Sequence, residues 1–123
     1  MSSSKPFGDV IYSYTRKQAI QDGVLVDLNS VSPIIRQHWK FPMACTDSVW
    51  AIIESALKTD GNDLEGILHD GATMAKLAIR HATQGDLIFF KVIFAHKTYD
   101  LKLHIGPGDT AEPVLTLMLP HED

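Results

Sequence analysis

The sequence predicts an α+β domain, on three observations. Apolar residues recur at helical spacing between residues 47 and 81. Strand-like runs, unbroken or alternating, gather after residue 87. The 123 residues are 45% hydrophobic and 21% charged, which suits one folded domain with its own core. The expected architecture is several helices in residues 15–81 packed on a C-terminal antiparallel three-stranded meander over 87–119. Strands near 10–14 and 24–28 would extend it. Residues 1–8 read as a disordered tail and 9–123 as the single domain.

The elements follow in order. Met1-Ser2-Ser3-Ser4-Lys5-Pro6 has no apolar core and reads as a frayed end rather than a signal peptide. Val10, Tyr12 and Tyr14 alternate as in a lead-in strand. Thr15 and Gln18 match a capping box that opens a short helix, and Gly23 stands where a left-handed helix stop is needed. Val24 to Leu28 suits a strand, with Asp27 its one polar interruption. Asn29-Ser30 breaks that strand, and Ser32-Pro33 starts a second helix up to about Trp39. Lys40 to Cys45 is extended around Pro42.

Thr46 or Asp47 caps the clearest helix, whose buried face is Val49, Ile52, Ile53, Ala56 and Leu57. A turn at 59–62 leads to a further helix ending near His81. Its stripe is Leu64, Ile67, Leu68, Gly71, Ala75, Ala78 and Ile79, and Gly71 marks a point where it could break. Asp63, Glu65 and Asp70 gather early in this helix and Lys76, Arg80 and His81 late, in accord with the helix dipole. After a turn over 82–86, Leu87 to Phe94 is so evenly apolar that it reads as a central strand covered on both faces. His96-Lys97-Thr98 is the expected hairpin link. Tyr99 to Ile105 alternates, with Leu101, Leu103 and Ile105 inward and Lys102 and His104 outward. Gly106-Pro107-Gly108-Asp109 is a turn, and Val114 to Leu119 the last strand.

The composition excludes several classes. The formal charge of −4 disfavours general nucleic-acid binding, and no apolar run reaches the length of a membrane span. The lone Cys45 cannot form an internal disulfide, which fits a reducing cytoplasm. No cofactor fingerprint is present. The six histidines lack metal-ligand spacing, although His96 and His104 fall on neighbouring strands with Asp100 between them; exposed strand histidines are the simpler reading.

Four polar residues stand out as a candidate ligand or partner site: Arg16, Lys17, Asp47 and Asp109. All fall at helix starts or turns, where sites often lie. Arg16 and Lys17 add positive charge to the first turn of a helix, which the dipole does not favour. Cys45 before a helix start has the position of an activated thiol, but a small buried residue is the commoner role. Trp39, Phe41, Trp50 and Tyr99 would form a binding surface only if exposed together. Asp60, Asp63, Glu65 and Asp70 make an acidic edge. No catalytic motif is present, so a non-enzymatic role is favoured.

The stretch from Tyr14 to Leu28 resembles the opening of a family of small uncharacterised proteins of conjugative plasmids and other mobile elements. Matching pieces follow in order: Phe41-Pro42, Thr46 with Val49-Trp50, Leu77-Ala78-Ile79-Arg80, Gly106-Pro107-Gly108-Asp109, and Glu112-Pro113-Val114 with Met118-Leu119-Pro120 and Glu122-Asp123. The resemblance implies an accessory of mobile DNA and transfers no catalytic residue. The leading expectation is therefore a cytoplasmic protein that binds a host protein or defence complex. The alternative is a small-molecule or nucleotide-binding domain, or a small enzyme, using Thr15, Arg16, Thr46, Asp47 and Asp109. A DNA-binding regulator is a third class. An edge strand could also pair with a second copy of the chain.

Overall fold

The computed structural model describes residues 15–59, 61–81 and 87–122. The expected tail, the lead-in strand over 10–14, the turn over 82–86 and Asp60 of the acidic edge lie outside them. The chain is α+β, and the described residues form five helices and a five-stranded mixed sheet of order β1-β2-β5-β4-β3.

Helix α1 (Arg16–Gln21) opens with the expected capping box: Thr15 Oγ1 accepts from Gln18 N–H, and the Gln18 side chain accepts from Thr15 N–H. Gly23 ends it at φ +79°, a backbone setting that suits glycine. Strand β1 (Leu25–Asp27) is shorter than the sequence suggests. Asp27 turns out to be a helix cap: its carboxylate accepts from Asn29 N–H and starts the single turn α2 (Leu28–Val31). Ser32 Oγ then accepts from Ile34 N–H at the head of α3 (Ile34–His38).

Strand β2 (Met43–Thr46) is wholly buried and hands over to α4 (Asp47–Leu57), capped by Thr46. Helix α5 (Leu64–His81) runs unbroken through Gly71. A Cβ on Gly71 would meet the Phe94 ring at 3.4 Å, about van der Waals contact, so α5 packs directly on β3 at this point.

Strands β3 (Leu87–Phe94), β4 (Lys97–Pro107) and β5 (Pro113–Met118) pair antiparallel in succession. The sheet does not stop there. β5 takes β2 as a parallel neighbour, and β1 closes the far side antiparallel to β2.

Three local expectations need correction. The hairpin turn is Ala95-His96, both at positive φ, and Lys97 already pairs with Phe94. Gly106 and Pro107 belong to β4, opposite Val114 and Pro113, so the turn begins only at Gly108. Among the described residues β3 is an edge strand, not a central one. Its burial alternates strictly, exposed then buried, over all eight residues.

Helices α3, α4 and α5 cover one face of the sheet. Leu28, Ile35, Val49, Ile53, Leu68 and Ala75 pack there against Cys45, Phe90, Val92, Leu101, Leu103, Leu115 and Leu117. Trp39, Phe41, Trp50 and Tyr99 are partly buried against this core and form no exposed aromatic surface. No helix among the described residues is long and apolar enough to cross a membrane.

Candidate functional site

Ladder register sets what stands on the opposite, outer face. Asp27 is opposite Ala44, Ala44 opposite Thr116, Thr116 opposite His104, and His104 opposite Leu87. These residues alternate with core positions, so they share the outer face. The next row joins Met118, Lys102 and Phe89.

Near β5 this face is polar and buried. The Arg16 guanidinium donates to Thr116 Oγ1 at 2.8 Å and to the Leu115 carbonyl at 2.8 Å. Burial lowers the Arg16 pKa, against the opposing pull of the Asp27 and Asp109 carboxylates. The Asp109 carboxylate in turn accepts from the backbone N–H groups of Arg16 and Lys17, at 2.7 and 3.0 Å. This supplies negative charge at the start of α1, where the dipole favours it. A second clamp comes from Glu122. Its carboxylate accepts from Thr46 Oγ1 at 2.8 Å and from Leu119 N–H at 2.7 Å, and its carbonyl accepts from Lys102 Nζ. Lys102 points outward as expected, yet it is 7% exposed because this last turn covers it.

Of the four candidate residues, the structure therefore brings Arg16, Lys17 and Asp109 together and leaves Asp47 apart. Arg16 and Asp109 tie α1 to the loop after β4 and to β5. The Lys17 side chain is exposed. Asp47 stands at the head of α4, where its N–H donates to the Val24 carbonyl. The sequence pattern could not reveal that an arginine and an aspartate 93 positions apart share one helix end.

Cys45 is fully buried, and its thiol pKa is pushed up to about 12, first by burial and then by Glu122 and Asp47. A thiol so hard to ionise is no nucleophile at neutral pH. His96 is exposed in the hairpin turn, and among the described residues no group of three or more His, Cys, Asp or Glu could hold a metal ion. One histidine pair escaped the sequence reading. His38 Nε2 and His69 Nδ1 lie 2.7 Å apart between α3 and α5, a contact between residues 31 positions apart.

The other end of the outer face is apolar. Leu87, Phe89 and Ile93 of β3 are 40%, 60% and 59% exposed. Lys91 between them pairs with Asp100 of β4 at 2.6 Å. A shallow hollow of about 300 Å³ opens beside Phe89, Lys91, Asp100 and Pro120. A groove of about 410 Å³ runs where β3 meets α5, lined by Thr73, Met74, Val92 and Ile93 among others.

Fold and surface together define a two-layer α+β domain with a polar, clamped outer face at one end and an apolar, open edge at the other. No protein-family model matches this chain, and no curated protein and no solved structure matches it either.

Proposed function

We propose that the protein is a non-enzymatic accessory, of the kind carried by mobile DNA, that works by binding a host protein or defence complex. One observation carries the reading: three large apolar side chains, Leu87, Phe89 and Ile93, lie exposed along one strand beside a hollow. Apolar side chains scattered singly over a surface need no explanation, whereas an aligned row with a neighbouring hollow has the character of a protein-binding surface. The polar residues that a catalytic reading would recruit are engaged in holding the fold: Arg16 and Asp109 anchor α1, and Cys45 is buried.

The test is capture of partners from bacterial lysates with tagged wild-type protein and with the Phe89→Asp, Ile93→Asp double variant. The expected result is a host protein retained by the wild type and lost by the variant, with both proteins folded by circular dichroism. Failure to retain any host protein across several backgrounds, including hosts with active restriction or CRISPR systems, would end this reading. A partner retained equally by both proteins would remove the outer face of β3 from it.

A further inference from the structure

The helical layer carries a pair of side chains that the apolar row of β3 does not involve. We propose that His38 and His69 form a two-ligand site for a divalent first-row transition ion, with zinc the ion of choice. His38 binds through Nε2, His69 binds through Nδ1, and water fills the remaining positions. The site lies on the layer opposite the outer face, and it does not depend on the host-partner reading.

The two ring nitrogens already face each other. His38 Nε2 and His69 Nδ1 lie 2.7 Å apart, with ring centroids 4.6 Å apart and ring planes tilted by 59°. In the metal-free protein one of these nitrogens donates to the other. Zinc–nitrogen bonds of about 2.0–2.1 Å at a tetrahedral angle set two ligand nitrogens about 3.3 Å apart. From 2.7 Å, the nitrogens need to part by only about 0.6 Å, which small side-chain rotations supply. There is room for this, since His69 is exposed and His38 half-buried.

The backbone under each ligand is fixed from below. Ile35 anchors α3 one turn before His38, and Leu68 and Ala72 anchor α5 on either side of His69. All three are buried, so the core positions both ligands before an ion arrives. An ion held by both rings ties α3 to α5 and stabilises the folded chain, because the unfolded chain does not hold the two histidines together.

Ligand chemistry selects the ion. Imidazole suits zinc, copper and nickel, whereas calcium and magnesium take oxygen ligands. Among the described residues no third His, Cys, Asp or Glu completes the set. Two protein ligands are half those of a structural zinc site, which implies an exchangeable ion with a Kd on the order of 1–100 μM. The nearby charges are of both signs. Lys76 lies close enough to act on His38 and repels a cation. Asp63 and Asp70 line, together with His69, a hollow of about 260 Å³ at the head of α5, and their carboxylates oppose that repulsion.

Titration calorimetry with zinc chloride on the full chain, in a non-chelating buffer, tests this. One ion should bind per chain with a Kd of about 1–100 μM, and magnesium should give no binding heat. His38→Gln and His69→Gln should each weaken zinc binding by about tenfold or more. Lys76→Gln should tighten it by about threefold, because it removes a neighbouring positive charge. Nitrogen NMR should show zinc shifting His38 Nε2 and His69 Nδ1. Zinc should also raise the urea midpoint of the wild type but of neither histidine variant. Circular dichroism confirms that the variants are folded. A Kd above about 1 mM overturns the proposal. So does zinc binding that either histidine variant retains in full, or a nitrogen shift confined to other histidines. Neither histidine touches the row of Leu87, Phe89 and Ile93, so loss of zinc binding is distinguishable from loss of a host partner.

Discussion

Arg16 shows how a charged side chain can be spent on structure. Its guanidinium satisfies the buried Thr116 hydroxyl and the Leu115 carbonyl, and no neutral side chain of similar size offers the same fork of donors. We expect Arg16→Ala to lower stability by about 2 kcal/mol in urea denaturation, since it leaves buried acceptors unpaired. Lys17→Ala, one position on and exposed, should change it by less than about 0.5 kcal/mol. Cys45 gives a pH prediction. Its folded pKa, about 12, lies above the ordinary 9.0, so the neutral thiol favours the folded state. That contribution is fully present below pH 9.0 and is lost as pH rises through 12. Below this window the thiol should resist alkylation, and its labelling rate should follow urea-induced unfolding.

The β3–β4 hairpin is a case where an element forms against local preference. Its two-residue turn needs positive φ at both positions, and Ala95 and His96 take 52° and 69°. Asn-Gly is the usual choice for such a turn. Replacing Ala95-His96 by Asn-Gly should therefore raise stability by about 1–2 kcal/mol, read as a shift in the urea midpoint without a change in slope. Eight cross-strand pairs hold the hairpin despite this cost. The same absence of a turn signal explains why His96-Lys97-Thr98 was the expected link. The caps were legible: Thr15 with Gln18, Gly23, and Thr46 before α4 all act through neighbours within a few residues. β3 was not. Eight apolar residues in a row look like a strand covered on both faces, and nothing local says that one face stays open. Hence the sequence revealed no exposed row at Leu87, Phe89 and Ile93. The Arg16–Asp109 contact was hidden for a different reason. Each residue stands out singly in the sequence, but their meeting depends on how the loop after β4 returns to α1.

Across the whole molecule, stability at acid pH should depend on the contact between α3 and α5. The His38 pKa is lowered, chiefly by burial, then by the neighbouring His69 and Lys76. A folded pKa below the ordinary 6.5 means that the neutral ring favours the folded state. The contribution is present above pH 6.5 and is lost as pH falls through the folded value. A hydrogen bond between two imidazoles also needs one of them neutral. Urea melts between about pH 7 and pH 5 should show stability falling on the acid side, with a shallower fall in His38→Gln.

The sequence by itself determined the α+β class, the helix caps, the core stripe of α4 and the absence of catalytic or metal-binding motifs. These follow from periodicity, from capping chemistry and from residue types that act at short range. Only the tertiary structure decided that β2 lies parallel beside β5, that Arg16 and Asp109 meet, and that β3 stands at the edge of the described strands with its apolar row exposed. The order of strands in a sheet is set by how distant segments pack together. A strand's neighbours, and so the exposure of its two faces, are not written in the strand.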